Sequence, residues 1–203
     1  MDSSIDFSGI GEKYDLIAKW WDEQHRASDY GSAQVERALK YAPKAKSALD
    51  VGCSAGGRLT RKLEARGLDI TGIDASSEMI KLARRHHPKA RFIHCDIIKW
   101  ETKDSFDFIL AWDSLFHLPL RAQKPVLTKL CEMLNAGGIL IYSFGDAIGE
   151  HSDQWRGQNF PYSSIGISEN IAVLMKNKLS ILHLERDQFP ENHMYCIAIK
   201  ERR

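Results

Sequence analysis

Two periodicities alternate along the chain. Short apolar runs at Ser47–Val51, Leu68–Asp74, Ala90–Cys95 and Phe106–Trp112 read as strands, and Ile139–Phe144 is a fifth. The fifth is almost unbroken in apolar residues, as expected of a strand buried on both faces. Between the strands lie segments with helical spacing: Leu59–Ala65, Ser76–His86 with Ser76 or Ser77 as N-cap, and Arg121–Leu134 with Val126, Leu127, Leu130 and Leu134 in its apolar stripe. Asn135-Ala136-Gly137-Gly138 supplies the stop after the last of these. Alternation of this kind predicts a parallel sheet covered by helices. The C-terminal region differs. Leu179–Arg186 and Met194–Lys200 are strand-like runs too close together for a crossover helix, so they pair antiparallel. The predicted sheet is mixed and seven-stranded.

Ahead of the sheet, Gly11–His25 and Asp29–Tyr41 read as two helices, the first with Tyr14, Ile17 and Trp21 roughly on one face. Gly145–Gly166 shows little periodicity and contains Trp155, Phe160 and Tyr162. A stretch this long without a period is expected to be a loop, and its aromatics point to a lid that packs onto something. The expected organisation is a single domain over 1–203. It has N-terminal helices in 1–45, a core in 46–144, a lid in 145–166, and a helix with the β-hairpin in 167–203.

Composition narrows the class. With 203 residues, 43% apolar and 27% charged, the chain fits one soluble globular domain. A net charge of +1 gives no electrostatic footprint for nucleic acid or an anionic membrane. The run Arg84-Arg85-His86-His87-Pro88-Lys89 reads as the exposed end of a helix, where cations suit the dipole. The first ten residues carry Asp2 and Asp6 and no apolar core, and no segment approaches the roughly 18 apolar residues of a membrane span. A cytoplasmic protein without membrane contact is the expectation. The four cysteines (53, 95, 131 and 196) lack metal or disulfide spacing and read as buried thiols.

The candidate chemistry starts where the first strand ends. Leu49-Asp50-Val51-Gly52-Cys53-Ser54-Ala55-Gly56-Gly57 carries an apolar strand into a loop of small residues and then into a helix. Small residues let the backbone turn tightly and approach a ligand, and the helix start offers unpaired N–H groups. Two parses compete: a degraded dinucleotide fingerprint, Gly52-x-Ser54-x-x-Gly57, and Asp50-x-Gly52-x-Ser54-x-Gly56. Asp74 ends the second strand, where a carboxylate can accept from both hydroxyls of a ribose. Cys95-Asp96-Ile97 closes the third, where an acid can accept from an exocyclic amine and an apolar side chain can lie on a purine face.

Together these pieces resemble the class I S-adenosylmethionine (SAM) dependent methyltransferases. The match runs through Leu49–Gly57, Ile70–Asp74, Cys95-Asp96, Phe106–Pro119 and Leu134–Phe144 in family order. The resemblance implies an α/β, Rossmann-like three-layer sandwich with strand order 3-2-1-4-5-7-6 and strand 7 antiparallel. It implies SAM as cofactor, with S-adenosylhomocysteine (SAH) as product. Gly52, Ser54 and Gly56 would pass the methionine part, with Asp50 also in the cofactor site, although the family usually has glycine where Ser54 stands. Asp74 would bind the ribose, with Ala75 beside it in the cofactor site, and Asp96 and Ile97 would meet the adenine. Ala111 and Trp112 would flank the sulfonium. Tyr14 and Trp21 match the cofactor-closing helix of relatives, with Trp21 in place of a tyrosine.

The expected activity is methyl transfer to a small-molecule nucleophile. His117 follows the fourth strand on the cofactor side, and it stands as a candidate base or as a pocket residue. Arg156, Phe160 and Tyr162 are the further acceptor-site candidates, Arg156 through bidentate pairing with a carboxylate. No metal set is expected. The alternatives are a tRNA-modifying methyltransferase of similar core and a noncatalytic SAM-binding protein. A nicotinamide oxidoreductase is disfavoured by Asp96 and the C-terminal hairpin.

Overall fold

The computed structural model describes residues 5–202; Met1–Ser4, which begin the N-terminal stretch read above as lacking an apolar core, and Arg203 lie outside the described residues. The chain runs α1 (Ile10–Asp15), α2 (Ala18–His25), α3 (Ser32–Tyr41), β1 (Ser47–Val51), α4 (Arg58–Ala65), β2 (Asp69–Asp74), α5 (Ser77–His86) and β3 (Arg91–His94). It continues through β4 (Phe106–Ala111), a single 3₁₀ turn (Leu115–His117), α6 (Leu120–Met133), β5 (Leu134–Gly145), β6 (Ile148–Trp155), β7 (Gln158–Ile165), α7 (Gly166–Lys176), β8 (Leu179–Asp187) and β9 (His193–Lys200). The main sheet is ordered β3-β2-β1-β4-β5-β9-β8. The first five strands are parallel, and β9 enters antiparallel against β5 with Ile139 opposite Ile199 and Gly145 opposite His193. This is the seven-stranded α/β fold the sequence implies.

Period-2 alternation in the central strands divides the core into two layers. Leu49, Ile109, Leu140 and Tyr142 face α6 and α7, meeting Val126, Leu130 and Leu174. Their neighbours Ala48, Phe108, Leu110, Ile139 and Ile141 face the other way, onto Val35 and Leu39 of α3 and Leu63 of α4. Strand order reverses at β1, with β2 on one side and β4 on the other. In an open α/β sheet, the crevice beyond the carboxyl ends of such strands is where ligands bind.

Two expectations need correction. Gly145–Gly166 is a β-hairpin, β6 paired with β7 from Ile148 opposite Ile165 to Trp155 opposite Gln158. Its first strand is exposed from Ile148 through Gln154, so it has no apolar alternation to read. The burial sits in β7, at Phe160, Pro161, Ser163, Ser164 and Ile165. The first helix also splits in two. Gly11 of α1 presses on the β2–α5 connection, where a Cβ would lie 2.1 Å from the Ala75 carbonyl oxygen. Asp15, at the end of α1, accepts from Ser76 Oγ at 2.6 Å and from the Glu78 N–H at 2.9 Å. The chain turns at Ile17 and restarts as α2.

Candidate functional site

The loops following β1, β2, β3 and β4 converge with α1, α2 and the β6–β7 hairpin around a cavity of about 930 Å³. One wall is made of backbone turns. Gly52 and Cys53 both donate N–H to the Ile73 carbonyl, at 2.8 and 3.0 Å. Gly52, Ser54 and Gly56 have φ of +71°, +52° and +67°. A Cβ on Gly52 would stand 2.4 Å from Ser114 Cβ, so the loops after β1 and β4 meet too closely for a side chain there. Ser54 takes the left-handed region at a cost of roughly 1–2 kcal/mol. Its N–H donates to Asp74 Oδ2 at 2.8 Å, which holds the turn in place.

Three carboxylates face this wall. Asp74 also accepts from the Ser76 N–H through Oδ1 at 2.8 Å. Burial raises its pKa while the two amides oppose the shift. A carboxylate has about four lone-pair sites, so Asp74 retains acceptor capacity on both oxygens. Asp50 is buried, accepts from Thr60 Oγ1 at 2.7 Å, and is pushed up to about 6 by burial. Asp96 is exposed at the far end, with Oδ1 accepting from the Ile98 N–H at 2.9 Å and Ile97 half-buried beside it.

The opposite wall is made of side chains from distant segments. His117 Nδ1 lies 2.9 Å from the Pro161 carbonyl oxygen of β7. A carbonyl only accepts, so Nδ1 carries the proton and Nε2 is the acceptor. The Tyr14 hydroxyl of α1 donates to that Nε2 at 2.8 Å. Burial lowers the His117 pKa to about 4. His117 is therefore a neutral ring that ties α1 to the hairpin. Around it, Tyr14 meets Trp21 at 5.7 Å between ring centroids and Phe160 at 5.1 Å, and Trp155 meets Trp20 at 5.3 Å and Trp21 at 5.9 Å.

Residues 48–138 match the family described as methyltransferase domain. Ubiquinone biosynthesis O-methyltransferase of Coxiella burnetii (strain RSA 493 / Nine Mile phase I) is 29% identical over 152 residues, covering 70% of this chain and 63% of that protein. Trans-aconitate 2-methyltransferase of Rhizobium etli is 29% identical over 136 residues, covering 66% of this chain and 50% of the relative. The chain thus spans somewhat under two thirds of the length of these curated relatives. Among solved structures, magnesium protoporphyrin IX methyltransferase from Synechocystis PCC 6803 with bound SAM superposes with a TM-score of 0.70 at 17% identity, covering 99% of this chain and 100% of that one. The DhpI–SAH complex superposes with a TM-score of 0.72 at 19% identity, covering 97% and 98%. Residues 48–138 thus match a methyltransferase domain, and the fold is shared with solved SAM-dependent methyltransferases.

Within this methyltransferase fold, Tyr14, Trp21, Asp50, Gly52, Ser54, Asp74, Ala75, Asp96, Ile97, Trp112, His117 and Tyr162 line the cavity. Four expected residues do not. Gly56 lies behind the loop, where a Cβ would meet the His87 ring at 2.7 Å. Ala111 is fully buried inside β4, because the sheet still covers it one residue before the loop begins. Phe160 is buried behind the wall, packed on Tyr14 and Trp155. Arg156 sits in the hairpin turn with its guanidinium 3.7 Å above the Trp20 ring. Conversely, Gly11, Arg58 and Trp155 line the cavity without having been singled out as site residues. Gly11 carried a weak signal, since glycine inside a helical pattern often marks a close approach.

Proposed function

We propose that the chain binds SAM across this cavity and directs its methyl group to a small-molecule nucleophile. The observation that carries the reading is the convergence of Asp74, Asp96 and the glycine turn on one cavity closed by an aromatic wall. Features of the cavity itself fit the group. Ser114 Oγ, beside Gly52, is buried without a hydrogen-bond partner. A Cβ on Gly57 would meet nothing within 4 Å. Asp74 has spare lone pairs for a ribose diol. A volume of about 930 Å³ is at the upper end of the roughly 300–1,000 Å³ range of small-molecule pockets.

When bound, SAM supplies a methyl group on a sulfonium, ready for in-line displacement. The residues then have separable tasks. Asp74 would hold the ribose and Asp96 the adenine amine, with Ile97 against the ring. Gly52 keeps the β1 and β4 loops close enough for Ser114 to reach the methionine side. Trp21, Trp155 and Tyr162 exclude water, and aromatic faces favour a cation. Holding a nucleophile about 3 Å from the methyl, in line, supplies most of the acceleration in such a reaction.

His117 is a positioning residue in this scheme. Its Nε2 already accepts from Tyr14, and its low proton affinity opposes formation of an imidazolium. It fixes the Tyr14 oxygen, whose remaining lone pair can accept a hydrogen bond from the acceptor. Acceptors that need no strong base, such as carboxylates or hydroxyls of low pKa, suit this arrangement. The O-methyltransferase names among the relatives agree with that preference.

Calorimetry with SAM and SAH tests the assignment. Asp74→Ala should weaken SAH binding about tenfold or more, since lost charge-assisted bonds cost roughly 1.5–3 kcal/mol. Unchanged affinity in a folded variant overturns the ribose assignment. Labelled-methyl transfer from SAM into a metabolite extract tests the activity, and no transfer by a protein that binds SAM refutes it.

A further inference from the structure

Two arginines line the cavity. Arg26 is exposed and pairs with Asp22 at 3.0 Å. Arg58, the first residue of α4, is half-buried and, among the described residues, has no carboxylate oxygen within 4.0 Å. Its Nε donates to the Tyr30 carbonyl, and the guanidinium carbon lies 5.1 Å from the Tyr30 ring centroid. Neither terminal nitrogen makes a hydrogen bond to the described residues. An arginine fork has five N–H donors, so four are uncommitted here.

The nearby acids are engaged elsewhere. Asp113 accepts from Ser143 Oγ at 3.0 Å and pairs with His193 at 2.9 Å. Asp50 accepts from Thr60. Burial lowers the Arg58 pKa, but a guanidinium remains charged in proteins. A partly desolvated cation with a free fork, fixed at Nε and bordering an open cavity, is built to receive a planar oxyanion.

We propose that Arg58 is the receptor for a carboxylate inside the cavity. This rests on the reading of the cavity as a SAM site. Two sources share that chemistry: the amino-acid end of the cofactor and a carboxylate on the methyl acceptor. Asp50 favours the first. It is a buried acid lining the same cavity as Arg58, so an ammonium and a carboxylate on one α-carbon would find both counter-charges.

The test compares wild type, Arg58→Gln and Arg58→Lys by calorimetry with SAH and with 5′-methylthioadenosine, which keeps the nucleoside and thioether but lacks the amino acid. The SAH-saturated proteins are then titrated with succinate as a carboxylate probe. Wild type failing to bind either nucleoside refutes the cofactor reading itself. If the cofactor is the source, Arg58→Gln weakens SAH tenfold or more and leaves methylthioadenosine within twofold. If the acceptor is the source, SAH is unchanged and the weak succinate binding of wild type is lost. The lysine variant, which keeps charge but not the fork, should fall between. Thermal unfolding and methylthioadenosine binding report whether each variant is folded. Should Arg58→Gln not fold, a lysine variant equal to wild type toward both SAH and succinate overturns the proposal. A folded Arg58→Gln equal to wild type toward both overturns it too.

Discussion

The two walls of the cavity are built by different means. The cofactor-side wall is backbone: glycines at positive φ, amides folded back on Ile73, and a carboxylate that caps two N–H groups. The opposite wall, proposed to face the acceptor, is side-chain packing between distant segments, with Tyr14, His117 and Pro161 in one hydrogen-bonded chain across separations of 103 and 44 residues. The first wall is rigid because the core strands set it. The second is held by contacts that α1 and the hairpin can lose without disturbing the sheet. On the proposed reading, a preformed cofactor site faces an adjustable acceptor site.

The largest expected effect breaks the first wall. Gly52→Ala places a Cβ at φ +71° and 2.4 Å from Ser114 Cβ. Left-handed strain and overpacking together should cost about 3–4 kcal/mol, read as a fall in unfolding free energy by urea denaturation. SAH binding should be lost with it. Gly11→Ala makes a comparable overlap with the Ala75 carbonyl, but on α1, where Gly11 is the buried residue. That helix can lift away as a local opening. Its variant should lose SAH affinity while unfolding free energy changes by less than about 1 kcal/mol, as befits local opening. Equal destabilisation by both substitutions would erase the distinction between the walls.

Acid titration separates the walls by sign. His117, lowered to about 4 from 6.5, is neutral when folded. Its neutral form contributes stability above pH 6.5 that is lost as pH falls through 4, because the unfolded chain binds the extra proton. Asp50, raised to about 6 from 3.8, acts oppositely. Its protonated form favours folding below pH 3.8, and that contribution is lost as pH rises through 6. Each is worth up to about 3 kcal/mol, since one unit is 1.36 kcal/mol. Between pH 4 and 6 they offset each other in wild type. Asp50→Asn should raise the neutral-pH melting temperature, steepen the acid loss of stability and weaken SAH. His117→Asn should leave stability that declines as pH rises toward 6. Parallel melting-temperature profiles for the two variants would contradict the assignment.

The contrast also explains what could be read in advance. The first wall is local in sequence: Asp50, Gly52, Ser54 and Asp74 sit at or just beyond the ends of strands that announce themselves by apolar runs. The strands and the antiparallel C-terminal pair were legible in those runs, while the strand order came with the family resemblance. The second wall was partly hidden. β6 is polar on both faces, so nothing marked it as a strand. His117 was visible as a histidine after a strand, but its partners, a tyrosine and a carbonyl, meet it only through the tertiary fold. Gly11 and Asp15 hold α1 through a backbone approach and a cap on another helix, neither of which leaves a period.

Arg156 offers the smallest and most discriminating comparison. Read from sequence, it was a candidate receptor for an acceptor carboxylate or else a solvated loop charge. In the fold it lies in the exposed hairpin turn at φ +49°, with its guanidinium 3.7 Å above Trp20 and 5.9 Å from the Trp155 ring. There it staples the hairpin tip to α2, and an exposed cation–π contact contributes about 0.5–1 kcal/mol. Arg156→Ala should therefore lower the unfolding free energy by about that much. Tryptophan emission should shift as Trp20 and Trp155 separate, and SAH affinity should stay within twofold. Arg58→Gln should do the reverse, sparing stability and losing carboxylate binding. If Arg156→Ala instead left stability and emission untouched while raising the KM of a carboxylate acceptor, the hairpin would turn its arginine toward the ligand. The acceptor wall would then be a recognition surface as well as a cover.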